Sequence, residues 1–292
     1  MARKIEVLTY TNEHGESMAF SHASVYHTND VTGLSDVRND IYSINSMGQD
    51  GDTYLGSRIV SREIEIVGSI RERDKDKMRE LRRKMNHILN PQFAATLTYD
   101  YGDFRRVIDC RAENAPIFNK RPILQGFTVQ LRCLNPFWRK ENETRNDIAT
   151  WIGGFEFPEE IPIETGWEIG FRQPSLIVNV FNDGDVKTGI RVAFRALGVV
   201  QNPSILNVDT QEFIKLNLTM AAGDVLTVST GYGEKEVTLL RGGITTDAFR
   251  YLDVDTSYLQ LGVGDNLLRY AADGSLDNLE VTIYHNDLYL GV

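Results

Sequence analysis

Residues that commonly catalyse reactions or bind metals are present in this chain, but they are scattered along it. The five histidines are His14, His22, His27, His87 and His285. Even the closest pair, five residues apart, does not fit one face of a helix and has no third ligand nearby, so it does not predict a metal site. No phosphate-binding loop, dinucleotide fingerprint or nucleophile elbow occurs. We therefore expect no catalytic residue, no cofactor and no bound metal.

Three pairs of aspartates could in principle offer carboxylate oxygens to Ca²⁺, namely Asp50/Asp52, Asp183/Asp185 and Asp253/Asp255. None of the pairs has the ligand spacing of a calcium-binding loop. The first two pairs flank a glycine, which is what tight turns require. The pattern therefore favours turns over calcium sites.

The two cysteines, Cys110 and Cys133, both fall inside predicted strands and could face each other across a sheet. A protein made in a reducing cytoplasm keeps its thiols reduced. We therefore expect two buried free thiols in preference to a disulfide bond.

The segment Arg71–Lys84 contains eight basic and four acidic residues. No aromatic side chains are interleaved to stack on bases, as a nucleic-acid-binding surface would require. The segment is therefore interpreted as a solvated helix face. Such a face can also dock on an acidic neighbouring subunit.

The elements that would position these residues are mostly strands. Met78, Leu81, Met85, Ile88 and Leu89 recur at helical spacing and predict one helix, from Asp74 to Leu89. A long polar loop is predicted over Asn45–Leu55 because Gly, Asp and Ser are frequent there. Alternating apolar residues predict strands in the first half over residues 5–9, 18–20, 64–70, 95–99, 104–111 and 127–134.

The second half predicts β structure throughout. Short alternating runs separated by Gly/Asp/Asn turns are typical of a β-sandwich, here a jelly roll. The runs cover residues 176–181, 190–196, 213–220, 225–229, 235–240, 266–271 and 279–284. The fold class is thus mainly β, with an N-terminal β-sheet domain carrying one packed α-helix and a C-terminal β-sandwich.

The chain divides into two predicted domains of different charge. Residues 1–140 carry a net charge of +3 and residues 141–292 carry −13, within a total of −10. The regular pattern lapses between them, which predicts a junction over 141–174 and a C-terminal domain over 175–292. The acidic half should repel nucleic acid and anionic membranes.

Several motifs, in their order, resemble the distal tail (Dit) proteins of long-tailed phages that infect Gram-positive bacteria. Leu134-Asn-Pro-Phe-Trp138 is similar to the Pro-aromatic end of the family's first domain, and Gly153–Pro162 to the entry of its second domain. The remaining similar motifs are Asn182–Asp185, Asn202-Pro203, Gly223–Val228, Gly262–Asn266 and Tyr289–Val292. Residues 1–130 resemble the family only in the order of predicted elements, which are an opening hairpin, a long loop, a strand and a basic helix.

This resemblance implies a homohexameric ring formed by N-terminal domains, with galectin-like C-terminal domains outside it. Such a ring would join the tail tube protein to the tail-associated tip protein and, in many phages, to receptor-binding proteins. Phage DNA would pass through the ring without sequence-specific contacts. From the predicted loop and the basic helix, candidate subunit-interface residues are Met47, Tyr54, Arg79, Arg82 and Arg83.

The expected location is the virion, at the phage tail tip, after assembly in the host cytoplasm. The first residues lack the apolar core of a signal peptide, and no apolar run is long enough for a membrane span. The alternative function is a lectin-like protein that contacts host cell-wall sugars. Its candidate sugar-stacking residues are Tyr251, Tyr258, Tyr270, Tyr284 and Tyr289.

Overall fold

The computed structural model describes residues 5–120, 124–148, 151–153, 170–172 and 177–292. It is mainly β, and it separates into a first unit, Met1–Glu141 with Leu288–Val292, and a second unit, Asn142–Asp287. The expected fold class is confirmed: a β domain with one packed helix, followed by a β-sandwich.

The first unit begins with eleven strands and one helix. They are β1 (Val7–Asn12), β2 (Ser17–Ser21), β3 (Tyr26–Thr32), β4 (Asn39–Ile44), β5 (Thr53–Ile59), β6 (Arg62–Ile70), α1 (Lys75–Ile88), β7 (Ala95–Tyr101), β8 (Phe104–Ala112), β9 (Ile117–Lys120), β10 (Gln125–Cys133) and β11 (Trp138–Arg139). Nine of the strands form one sheet in the order β11-β8-β7-β1-β2-β3-β6-β10-β9, and β8 also pairs with β10. That extra pairing closes the strands between β8 and β10 into a barrel.

The barrel interior follows from the alternation of side chains along its strands. In β6, Ile64, Ile66 and Ile70 point inward and are fully buried, while Glu63 and Glu65 lie on the other face. The helix α1 covers the barrel with Met85 and Ile88, and Asp74 caps it by accepting a hydrogen bond from the amide of Asp76 at 2.9 Å. The helix therefore lies where the sequence predicts it, within one residue at each end.

The second unit contains fifteen strands among the described residues. They are β12 (Thr144–Asp147), β13 (Trp151–Gly153), β14 (Gly170–Arg172), β15 (Ile177–Asn182), β16 (Thr188–Ala196), β17 (Val200–Gln201), β18 (Ser204–Asn207), β19 (Phe213–Lys215), β20 (Thr219–Met220), β21 (Val225–Ser229), β22 (Glu236–Arg241), β23 (Ile244–Asp247), β24 (Gln260–Leu261), β25 (Gly264–Ala271) and β26 (Leu279–His285). Short 3₁₀ helices occur at Phe249–Tyr251 and Leu276–Asn278.

Two sheets form the body of the second unit. One has the order β12-β26-β16-β21-β22-β23, with β24 added beside β16, and the other has the order β15-β25-β18-β19. A single apolar core includes Val180 and Leu268 from the smaller sheet and Val192, Phe194 and Ile283 from the larger one. Side chains from both sheets that meet in one core define a sandwich.

After β26 the chain returns to the first unit as β27 (Leu288–Tyr289), which pairs with β11 through Trp138 and Tyr289. We call Leu288–Val292 the return segment. Tyr289 and Val292 pack against the barrel core. The sequence predicts a C-terminal domain over residues 175–292. The structure groups the return segment with the first unit, because its pairing and packing partners lie there.

A buried arginine fixes the return segment. Arg62 is only 3% exposed, and its guanidinium donates to the carbonyls of Pro136 at 2.8 Å, Gly33 at 2.8 Å and Leu34 at 2.9 Å, and also to that of Leu290. Burial lowers the pKa of Arg62. Four backbone acceptors in place of water offset the cost of burying this cation.

Two glycines allow the backbone to come close around this arginine. Gly33 has φ +87°, and a Cβ there would lie 2.0 Å from the Glu63 carbonyl oxygen. A Cβ at Gly291 would lie 2.9 Å from the Cα of Ser35. Larger residues at either position would push the backbone acceptors away from Arg62.

Candidate subunit interface

Among the described residues of the first unit, large exposed apolar side chains are concentrated on a two-stranded hairpin formed by β4 and β5. The strands pair antiparallel from Asn39↔Ile59 to Ile44↔Thr53, with a bulge after Tyr42. Among the described residues the hairpin pairs with no other strand. An isolated two-stranded hairpin is marginally stable in water, so this one is expected to gain order from a partner surface.

Six large apolar side chains of the hairpin face solvent. Their exposed fractions are 65% for Ile41, 48% for Tyr42, 55% for Ile44, 107% for Met47, 63% for Tyr54 and 65% for Leu55. Exposed apolar residues concentrated on one small element mark an interaction site more often than isolated ones do. The hairpin is therefore the strongest candidate interface of the first unit.

Both faces of the hairpin carry apolar residues. Successive residues of a strand point to opposite faces, so Ile41 and Tyr42 lie on opposite sides. A single flat surface laid on one side would leave the other side exposed. The hairpin is therefore suited to insertion into a groove or between two neighbouring surfaces.

The tip of the hairpin is an ordered turn built from its own polar groups. The amide of Gln49 donates to the carbonyl of Ser46 at 3.0 Å, and its side chain donates to the Thr53 hydroxyl at 3.0 Å. The Ser43 hydroxyl donates to Asp52 at 3.0 Å. These bonds hold the turn in one shape while Met47 stays fully exposed at its end.

A charged groove of about 590 Å³ lies at the base of the hairpin. Carboxylates outnumber guanidinium groups in its wall, which includes Asp36, Asp40, Glu63, Glu65, Glu113, Arg38, Arg62 and Arg132. With five carboxylates and three guanidinium groups in its wall, the groove presents an excess of negative charge. A basic partner surface would complement it.

The predicted interface residues lie on two separate elements. Met47 and Tyr54 are on the exposed hairpin, although Tyr54 belongs to β5 and not to the long loop predicted over Asn45–Leu55. Arg79, Arg82 and Arg83 are on α1. Arg83 is exposed, Arg79 is paired with Asp76 at 3.5 Å, and the guanidinium of Arg82 lies 4.7 Å from the centre of the Phe118 ring. Whether these residues contact another subunit stays a prediction.

Sequence reasoning missed most of the hairpin surface. The run Ile41–Ile44 does not alternate between apolar and polar residues, so its pattern predicts no strand, and Leu55 falls at the end of the predicted loop. A hairpin with apolar residues on both faces shows no alternation of apolar and polar residues. A short apolar run without alternation was therefore the available sign of this hairpin.

None of the five tyrosines proposed for sugar stacking is fully exposed. Tyr270 is buried in the sandwich core at 2% exposure, and Tyr251 packs against that core. Basic groups cover the other rings, at 4.0 Å for Arg191 over Tyr284, 4.1 Å for Lys235 over Tyr258 and 4.1 Å for Arg106 over Tyr289. The residues that carried the lectin alternative are therefore engaged within the chain.

In the part of the chain that the structure describes, no group of three or more His, Cys, Asp or Glu side chains is arranged to hold a metal ion. The helices of that part include none with the length and apolarity of a membrane span.

Two family models match the chain in succession. Residues 23–133 match the phage tail protein RIFT-related domain, and residues 183–289 match the C-terminal domain of siphovirus-type tail components. Together they span most of the chain. No curated protein matches it at a significant level.

The fold is similar to solved structures of phage tail proteins. The Dit protein of phage SPP1, described as a paradigm of the hub adsorption apparatus in phages that infect Gram-positive bacteria, is 15% identical, with a TM-score of 0.69 over 97% of this chain and 99% of that one. A chain of the phage P2 baseplate in its activated conformation with Ca is 12% identical, with a TM-score of 0.52 over 97% of each chain. The corresponding structure with Sr has a TM-score of 0.50 at 12% identity, over 96% of this chain and 97% of that one.

Proposed function

We propose that this chain, which belongs to the distal tail (Dit) protein family of siphophages, is a structural hub of the phage tail tip and catalyses no reaction. Its place is in the virion, as a component of the tail tip or baseplate. The proposal rests on the succession of the two phage tail domains and on the hub described for SPP1 Dit. A hub needs broad surfaces for other proteins and needs no active site.

The observation that carries the assembly part of this proposal is the β4–β5 hairpin. It extends six large apolar side chains into solvent without a core of its own. In a ring of identical subunits, each hairpin would be covered by its neighbour. Because the contact joins different surfaces of the two copies, it repeats around the ring until the ring closes.

The family resemblance suggests six copies in the ring, joined through residues before about Lys140. The charge distribution supports this arrangement, since the near-balanced N-terminal half can pack against copies of itself. The half with a net charge of −13 would repel itself if it were packed tightly, and belongs on the periphery. The basic face of α1, with Arg79, Arg82 and Arg83, complements the acidic groove at the base of a neighbouring hairpin.

The proposed partners are the tail tube protein on one side of the ring, and the tail-associated tip protein and receptor-binding proteins on the other. Phage DNA would pass through the ring, which calls for no sequence-specific contacts. Sugar binding by the second unit is not proposed, because the tyrosines that suggested it lie in the core or beneath basic side chains.

The assembly proposal is tested by making the hairpin polar. We expect a variant with Ile41→Ser and Tyr54→Ser to weaken self-association by about tenfold or more, because buried aromatic and aliphatic anchors dominate interface energies. Sedimentation velocity over a concentration series measures the change.

A matched control removes apolar residues of similar exposure from the second unit. Tyr232 is 83% exposed and Val254 is 99% exposed, so Tyr232→Ser with Val254→Ser should leave self-association unchanged. Equal weakening by both pairs, or a native chain that stays monomeric at every soluble concentration, would count against the hairpin as the ring contact.

A further inference from the structure

The two cysteines of the chain lie side by side where the barrel closes. Cys110 is in β8 and Cys133 is the last residue of β10, and both are free and buried. These strands pair through Leu131↔Ala112 and Arg132↔Arg111. Continuing this antiparallel register by one residue places Cys133 opposite Cys110.

The two thiols are close enough to interact. A hydrogen bond with Cys133, reinforced by burial, raises the pKa of the Cys110 thiol. Opposed residues of an antiparallel pair have Cα atoms about 4.5–5.5 Å apart, which lies within the range of about 4.4–6.8 Å that a disulfide bond spans. Bond formation here would need little backbone movement.

The seam between β8 and β10 is also one of the weaker joints of the barrel. It has two paired positions, whereas β6 and β10 share nine and β7 and β8 share seven. Few backbone hydrogen bonds hold the barrel closed at this seam. A covalent bond here would therefore restrict its opening.

The groove beside Cys110 offers an oxidant an approach to one of the two cysteines. Cys110 forms part of the wall of an open groove of about 470 Å³, together with Asn12, Thr96, Asp109 and Asn135. Cys110 is 4% exposed. A local opening of the groove wall would therefore expose the thiol to a disulfide reagent such as oxidised glutathione.

We propose that Cys110 and Cys133 form a modification site at which a small-molecule disulfide converts the two thiols into an intramolecular disulfide bond that locks the barrel. The thiolate of one cysteine attacks the small disulfide, forms a mixed disulfide and releases one small thiol. The second cysteine then attacks the mixed disulfide and releases the second small thiol. The two protein thiols are oxidised, and the small disulfide takes up both electrons and both protons.

The timing of this step rests on the proposed function. During assembly in a reducing cytoplasm the pair stays reduced, and particles released from the cell meet oxidising conditions. Disulfide formation itself does not depend on ring assembly, so the chemical test below can fail without affecting the ring proposal.

The test uses the full chain with oxidised glutathione as the probe, first on the folded protein and then during refolding from guanidinium chloride. We expect loss of both thiols, a mass lower by two hydrogen atoms, and one peptide pair linking Cys110 to Cys133. The melting temperature of the first unit should rise by roughly 5 °C, because the bond closes a loop of moderate length. Reduction should reverse the rise.

Cys110→Ala and Cys133→Ala serve as controls, each of which should form at most a mixed disulfide with glutathione and show no rise in melting temperature. Retention of both thiols after refolding in oxidised glutathione would overturn the proposal. A linked product that melts at a lower temperature than the reduced chain would overturn it too, because the bond would then strain the barrel.

Discussion

The two units of this protein differ in how their connecting segments are stabilised. In the second unit, buried polar side chains stabilise the turns, as Asn182 does by donating to the carbonyls of Val186 at 3.0 Å and Gly262 at 3.1 Å. In the first unit, the β4–β5 hairpin extends apolar side chains into solvent. The second unit thus stabilises these turns with its own side chains, whereas the first unit extends a hairpin that a neighbouring surface would cover.

Completion of the first unit occurs at two levels. Within the chain, the return segment supplies β27 and the Leu290 carbonyl to Arg62. Between chains, we propose that a neighbouring subunit covers the hairpin. The predictions below separate these two levels.

The largest expected effect concerns the return segment. A fragment of residues 1–141 lacks the strand that pairs with Trp138 and one of the four carbonyls that accept from Arg62. We therefore expect it to fold poorly, while a fragment of residues 142–287 folds alone. Joining Leu288–Val292 to Glu141 through a short linker should restore the first unit. Thermal unfolding followed by circular dichroism compares the three fragments, and a well-folded 1–141 fragment would show that the return segment is dispensable.

Arg62→Ala should destabilise the first unit by about 3 kcal/mol or more, because several buried carbonyls lose their hydrogen-bond donor. The second unit should keep its own unfolding transition. Arg58→Ala, an exposed arginine on the hairpin, is the control and should change stability by less than about 0.5 kcal/mol. Chemical denaturation, combined with hydrogen exchange resolved for each unit, measures the loss of stability. Equal destabilisation of both units would argue against two separate folding units.

A smaller effect is expected at Asp224, whose carboxylate lies beneath a turn of the second unit. It accepts hydrogen bonds from Arg241 at 2.5 and 3.0 Å and from the Ala221 amide at 2.8 Å. The bonds from Arg241 are the main reason that the pKa of Asp224 is lowered from 3.8. Its stabilisation is therefore fully present above the unfolded value and is lost as the pH falls through the lower folded value.

Asp224→Asn should accordingly cost about 1–3 kcal/mol at neutral pH and progressively less below about pH 4. Melting temperatures of the native chain and the variant between pH 7 and strongly acidic conditions test this. The exposed Asp255 supplies the control, since Asp255→Asn should shift the curve little at any pH. A cost that stays constant into acid would contradict the assignment to the ionised carboxylate.

The smallest effect on folding is expected on the outer face of α1. Arg83→Glu should change the stability of the isolated subunit by less than about 0.5 kcal/mol, yet weaken self-association, because it reverses a charge that would face an acidic groove. Lys187→Glu, an exposed lysine of the second unit, is the matched control. If the Arg83 variant self-associates like the native chain at low and high salt, α1 does not contribute to the interface.

Helices and strands whose pattern depends on residues close together in the chain could be predicted from the sequence. The spacing of Met78, Leu81 and Met85 located α1, and the alternation in Leu279–Ile283 located β26. The sequence could not predict what depends on distant partners: Arg62 and Leu290 are 228 positions apart, and nothing local marks either one as buried. Likewise, the positions of the cysteines could suggest that they face each other, but only the pairing of β8 with β10 brings them together.

Electron microscopy of the purified full chain, at concentrations where it self-associates, tests the central claim most directly. The account predicts closed rings of six subunits in contact through residues before about Lys140, with each β4–β5 hairpin covered by its neighbour and the second units outside. Twofold pairs without a ring, or subunits joined solely through residues after 175, would contradict it.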